Sequence, residues 1–132
     1  VNYPIDFTED MRRMGICGVL AIAVSSNVTM AQAHAACERN KMPHQKRHVR
    51  RTYDEQIIKS IQDFGYLTQE VPVERQTVRK WVSTSGSGTF LVFVSGHVLT
   101  VRNGMVLDQE AHASADVHPA RRRFVQKVYS ID

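Results

Sequence analysis

Two hydrophobic patterns divide the chain, one with helical spacing in its first half and one that alternates or runs unbroken in its second. The apolar run Val19, Leu20, Ile22, Ala23 is too continuous for a half-exposed strand. It predicts a short buried helix ending near Val24, broken by Ser25, Ser26 and Asn27. Thr29 is placed to cap a second, alanine-rich helix over 30–40. Residues 52–55 then open an amphipathic helix in which Ile57, Ile58, Ile61 and Phe64 recur at helical spacing and Gly65 stands at the C-terminal cap. Residues 1–14, with Pro4 and several charges, show no periodicity and read as an extended lead-in.

Past Gly65 the period changes. Residues 66–71 alternate as a strand ended by Pro72, 77–82 make a short helix with Trp81 as core filler, and 83–88 are a flexible connection. The aromatic and branched run 89–94 is a buried strand, 97–102 is a second, and 105–109 returns as its partner. Between the last two, Asn103-Gly104 is a strong hairpin signal, because a two-residue type I′ turn needs positive φ at both central positions. Residues 110–119 read as loop. Residues 123–131 most economically supply a last strand, although Phe124, Val128 and Ile131 also fit helical spacing. The predicted class is α+β, N-terminal helices packed on a small, mainly antiparallel β-sheet, and 132 residues suit a single domain.

That hairpin sets a register with chemical content. Arg102 faces Met105, Thr100 faces Leu107 and Leu99 faces Asp108, which makes His97 and Asp108 diagonal neighbours on one face. A carboxylate there can hold the imidazole Nδ1–H and fix its tautomer and orientation, as a general base requires. The ordinary alternative is a surface pair of modest worth. Cys17 falls in the first turn of the first helix, where unpaired N–H groups and the positive end of the helix dipole favour a thiolate. Gly15 and Gly18 beside it let another backbone approach closely; the ordinary alternative is a buried structural thiol. Cys37, with His34 three residues before it, is half a metal site with no second pair of ligands in reach. It reads as a packed cysteine beside a partly exposed histidine, and no metal or cofactor is expected. A nucleophile at a helix start and a histidine–carboxylate pair on a sheet suit acyl transfer. Cys17 would attack a carbonyl, His97 would shuttle the proton, Asp108 would orient His97, and the Cys17 backbone N–H would serve as one oxyanion donor.

Residues 15–23 (Gly-Ile-Cys-Gly-Val-Leu-Ala-Ile-Ala), the helix after Thr29, Thr77-Val78-Arg79, residues 88–92 running into Ser95-Gly96-His97-Val98, then Asn103-Gly104 and Val106-Leu107-Asp108 together resemble the papain-like cysteine peptidases. The likeness is to the small single-domain versions often encoded by bacteriophages and bacteria, and it spans about residues 14–109. It implies a papain-like α+β fold with Cys17 on the core helix facing His97 and Asp108 on the sheet, a viral thiol protease with this catalytic triad, and a peptide or protein substrate. One departure stands out: the family usually carries a glutamine or another polar side chain shortly before the cysteine to complete the oxyanion hole. Here residues 10–14 read Asp-Met-Arg-Arg-Met, and Arg12 or Arg13 would have to donate instead.

Composition narrows the partners. Hydrophobic and charged fractions of 42% and 23% are those of a soluble globular protein. No apolar run approaches the roughly 18 residues of a membrane span. The N-terminus lacks a signal-peptide layout, though a chain beginning at Val1 leaves room for a leader removed before it. The net charge of +4 comes mostly from two basic clusters, 41–51 and 121–123. The first, with His44 and His48, could meet an acidic partner or nucleic acid. It has no interleaved aromatic residue to stack bases, and reads first as a solvated, mobile loop dispensable for folding. Two cysteines cannot frame a disulfide fold and point to a reducing compartment, the cytoplasm, or the host cytoplasm for a phage-encoded chain. Two other classes of function stay open: a papain-fold binding protein that has lost turnover, and a basic nucleic-acid-binding module, whose mark would be steep salt dependence.

Overall fold

The computed structural model describes residues 16–41 and 54–132. The chain divides between Tyr66 and Leu67 into two compact units. In the first, α1 (Ile16–Ser26), α2 (Met30–Arg39) and α3 (Asp54–Asp63) follow one another. Val19 to Val24 are all buried, as the unbroken apolar run requires. The chain leaves α1 at Asn27, whose φ of 57° is one that asparagine tolerates better than most residues. Thr29 caps α2 as predicted: the Gln32 N–H donates to Thr29 Oγ1 at 3.1 Å, and the Thr29 N–H donates to Gln32 Oε1 at 2.9 Å.

The buried face of α3 is not the apolar set that its spacing suggested. Gln56, Ile57, Ser60 and Ile61 are buried, while Ile58 and Phe64 are only half-buried. The two polar residues are tolerated because they are paired. Gln56 Nε2 donates to the Cys37 carbonyl at 2.7 Å, and Ser60 Oγ donates to the Gln56 carbonyl at 2.7 Å. A buried polar atom without such a partner costs about 1–3 kcal/mol. At the end of this unit the Tyr66 hydroxyl donates to the Ser26 carbonyl at 2.9 Å.

The second unit contains β1 (Thr68–Val71), α4 (Val78–Ser85), β2 (Thr89–Val94), β3 (His97–Arg102), β4 (Met105–Leu107), β5 (His112–Ser114) and β6 (Lys127–Ile131). The strands form one antiparallel sheet in the order β1-β6-β2-β3-β4-β5. With the four helices among the described residues this is the α+β class that the two periodicities predict. Residues 127–131 are strand, not helix, and lie between β1 and β2 in the sheet. On one face, Val92, Val94, Leu99, Val101, Val106 and Val128 pack with Val78, Trp81 and Val82 of α4. Trp81 meets Phe90 edge to face at 5.1 Å. Each such side chain contributes roughly 1.5–3 kcal/mol on burial.

Several boundaries differ from those predicted. The first strand begins at Thr68 and not at Tyr66, and β4 stops at Leu107. The stretch 110–119 is not all loop, since it contains β5. Helix α4 runs on into 83–88: the hydroxyls of Ser83, Thr84 and Ser85 bond back to the carbonyls of Lys80, Trp81 and Val82 three residues earlier. Its other end is closed by the chain before β6, where the Val78 and Arg79 N–H groups donate to the carbonyls of Arg123 and Arg121. The expectations for residues 1–15 and 42–53, including the opening of the third helix at 52 and 53, lie outside the described residues. Among the described residues no helix is long and apolar enough to cross a membrane.

Candidate active site

His97 opens β3 directly after the Ser95-Gly96 turn and pairs with Val94 across it. Gly96 has φ +68°, which suits glycine at that corner. Alternation along the strand puts His97 on the same face as Leu99 and Val101, at the strand's end, where 11% of its side chain stays exposed. The predicted β3–β4 register is present, with Thr100 opposite Leu107 and Arg102 opposite Met105. Asn103 and Gly104 both have positive φ, at 50° and 83°.

Asp108, expected within the returning strand, instead begins the turn from β4 to β5. The Asp108 N–H donates to the Ala111 carbonyl at 3.0 Å, and Asp108 Oδ1 accepts from the N–H groups of Glu110 and Ala111, both at 2.9 Å. An aspartate whose side chain captures the backbone two and three residues on is a stable turn former. The other oxygen, Oδ2, lies 2.8 Å from His97 Nε2. The sequence therefore placed the pair on the right face but named the wrong ring nitrogen. An ionised carboxylate can only accept, so Nε2 carries the proton of this bond.

A second histidine completes the cluster, and sequence reasoning missed it. His118 is fully buried, with Nε2 3.2 Å from Asp108 Oδ1. Its Nδ1 accepts from the Ala120 N–H at 2.9 Å. Its own N–H donates to the Ser114 carbonyl, and its carbonyl accepts from the Arg121 N–H. The residue lies in a stretch without periodicity. The only local hint is a pair of small apolar residues on either side, Ala115 and Ala120, both buried.

Asp108 is itself only 3% exposed. Burial works against its charge, but the hydrogen bond from His97, those from the N–H groups of Ala111 and Glu110, and the electrostatic attraction of His118 outweigh it. The carboxyl consequently titrates below its ordinary value of 3.8. Of these three side chains, His97 is the most exposed. The arrangement is an imidazole whose far nitrogen is anchored by a buried carboxylate.

The two cysteines differ. Cys17, the second residue of α1, is half-buried. Cys37 in α2 is fully buried, and that burial, reinforced by the charge of Glu38, pushes its thiol up to about 12. His34 is half-buried with Nε2 3.7 Å from Glu38 Oε1. Among the described residues no group of three or more histidine, cysteine, aspartate or glutamate side chains is arranged to hold a metal ion. The basic cluster 121–123 is partly engaged internally: Arg121 Nη1 donates to the His118 carbonyl, and Arg123 Nη2 donates to the Ser95 carbonyl at the turn before His97. The structure thus brings His97 and Asp108 together, adds His118, and leaves Cys17 in the helical unit. No family model matches the chain, and no curated protein and no solved structure matches it either.

Proposed function

We propose that this chain is a cysteine peptidase-like hydrolase of papain-like fold, acting by acyl transfer on a peptide or amide with Cys17, His97 and Asp108 as its triad. The observation that carries the reading is the His97–Asp108 pair, at 2.8 Å with the carboxylate buried and anchored by its own turn. An incidental surface pair needs no such anchoring. The position of Cys17 in the first turn of α1 supports it further, as does the inertness that burial imposes on Cys37.

In this reaction Cys17 Sγ attacks the substrate carbonyl carbon while its proton passes to His97 Nδ1. The imidazolium that forms is stabilised by Asp108 Oδ2 through Nε2–H. The tetrahedral intermediate collapses as the carbon–nitrogen bond breaks, and His97 returns the proton to the leaving amine, leaving a thioester on Cys17. Water then attacks that thioester, His97 takes the water's proton, and as the carbon–sulfur bond breaks and the acid leaves, His97 returns that proton to Cys17 Sγ. The Cys17 backbone N–H, at a helix start, supplies one oxyanion donor. Turnover of a panel of peptides and activated esters by the whole chain tests the assignment. Hydrolysis lost in Cys17→Ala and kept in Cys37→Ala is the expected result. Activity that survives Cys17→Ala, or no hydrolysis of any member by the wild type, would overturn it.

A further inference from the structure

We infer that His118 is a positioning residue of this site, holding the Asp108 carboxylate so that one oxygen is committed to His97. The inference rests on the proposed acyl-transfer role of His97 and deepens it. A carboxylate on a short side chain can rotate about its own bond and exchange its two oxygens. Asp108 is held against this at Oδ1. Oδ1 accepts from Glu110 N–H, Ala111 N–H and His118 Nε2, at 2.9, 2.9 and 3.2 Å, while Oδ2 faces His97 Nε2 at 2.8 Å.

The tautomer of His118 follows from its surroundings. A backbone N–H can only donate, so Nδ1, which accepts from Ala120, carries a lone pair. The ring proton is then on Nε2, aimed at Asp108 Oδ1. A fully buried histidine with both nitrogens engaged does not exchange protons with a substrate. It supplies a fixed dipole to the carboxylate that steers the reacting histidine, as outer partners steer a ligating or catalytic imidazole elsewhere. His97, partly exposed, carries the proton; Asp108 orients it; His118 orients Asp108. Two backbone donors alone would hold the turn, but both approach Oδ1 from the loop 108–111. The histidine approaches from the separate segment after β5, and so fixes the carboxylate plane from a second direction.

Two substitutions separate this role from simple packing. In His118→Asn, the side-chain oxygen can take the place of Nδ1 and accept from Ala120, but nothing reaches Asp108. In His118→Gln, the amide nitrogen can take the place of Nε2 and still donate to Asp108. The readout is the imidazole ring of His97, observed by long-range nitrogen–proton NMR correlations of the full chain at pH 7. Wild type and His118→Gln should share one His97 pattern, with a protected Nε2–H proton. His118→Asn should lose that protection, and its kcat should fall about tenfold to 10²-fold with KM little changed, the loss expected when a catalytic group is misplaced by about an ångström. In an Asp108→Asn background His118→Asn should add little to the kcat loss.

An unchanged His97 ring in folded His118→Asn would overturn the inference. So would failure of both variants to fold, which would make His118 a packing residue, or a kcat loss of equal size with and without Asp108. Absence of hydrolysis in the wild type would refute the peptidase reading alone, because the His97 ring signals are read without substrate.

Discussion

Replacing Asp108 separates its structural from its chemical contribution. In Asp108→Ala the fully buried His118 Nε2–H loses its acceptor, which costs about 1–3 kcal/mol. The charge-assisted bond to His97 goes as well, and two N–H groups of the 108–111 turn are left to water. Such terms overlap and do not add. A total near 3 kcal/mol is expected, at the low end of what breaking a buried pair costs (about 3–5 kcal/mol). Asp108→Asn keeps an oxygen where Oδ1 was, for the same turn and for His118, and alters only the edge facing His97. Its cost should be about 1 kcal/mol. Urea unfolding of the full chain at pH 7 measures both; in melting temperature the alanine variant should fall by roughly 10–15 °C for a chain of this size.

The pH dependence of these differences is fixed in sign. Because the folded carboxyl titrates below its unfolded value, its stabilisation is present above about pH 4 and is lost as pH falls through the lower folded value. The gap between wild type and Asp108→Asn, which has no proton to gain, should therefore narrow in acid. Equal stability of wild type and Asp108→Ala at pH 7, within about 0.5 kcal/mol, would refute the reasoning. A gap that widens as pH falls would refute it equally.

Three further outcomes follow from the same geometry. His97→Ala should remove nearly all hydrolysis, a loss of about 10² to 10⁴ in rate. Asp108→Ala should cost less, and the double variant should be scarcely worse than His97→Ala alone when turnover is compared on one substrate panel. Cys37 should resist alkylation in the native chain and react only once urea unfolds it, as peptide mapping after labelling will show, since its thiol is pushed up to about 12. Gly104→Ala should destabilise by about 1 kcal/mol through backbone strain alone, because φ is +83° and no atom lies within 4 Å of the added methyl. Urea titration measures that cost.

The β2–β3–β4 ribbon was legible because two independent signals agreed, the apolar run 89–94 and the positive-φ pair Asn103-Gly104. Agreement between levels of that kind is what makes a local pattern reliable. The pairing of His97 with Asp108 followed from it, although Asp108 achieves that pairing from a turn. Its carboxylate competes with the strand ladder for the N–H groups of Glu110 and Ala111, and pattern counting does not register such local capture. β5 was not legible because His112, Ala113 and Ser114 include no branched or aromatic residue. The end of α4 was misread because a Ser-Thr-Ser run looks like a linker until its hydroxyls bond back to the helix. On α3, spacing alone chose Ile58 and Phe64 over Gln56 and Ser60. The burial of those two polar residues depends on partners, one of them the Cys37 carbonyl in α2, that only the folded unit supplies. His118 was invisible for a similar reason: its importance comes from Asp108 and Ala120, which reach it through turns without sequence period.

The central claim, that the His97–Asp108 pair activates Cys17, is tested most directly by the pH–rate profile of Cys17 alkylation with a small thiol-directed electrophile. The site is identified by peptide mapping, in wild type and in His97→Ala. The account predicts that Cys17 in the wild type reacts well into the mildly acidic range, and that His97→Ala moves its profile to that of an ordinary peptide thiol near pH 8.5. Superimposable profiles for the two proteins would contradict it.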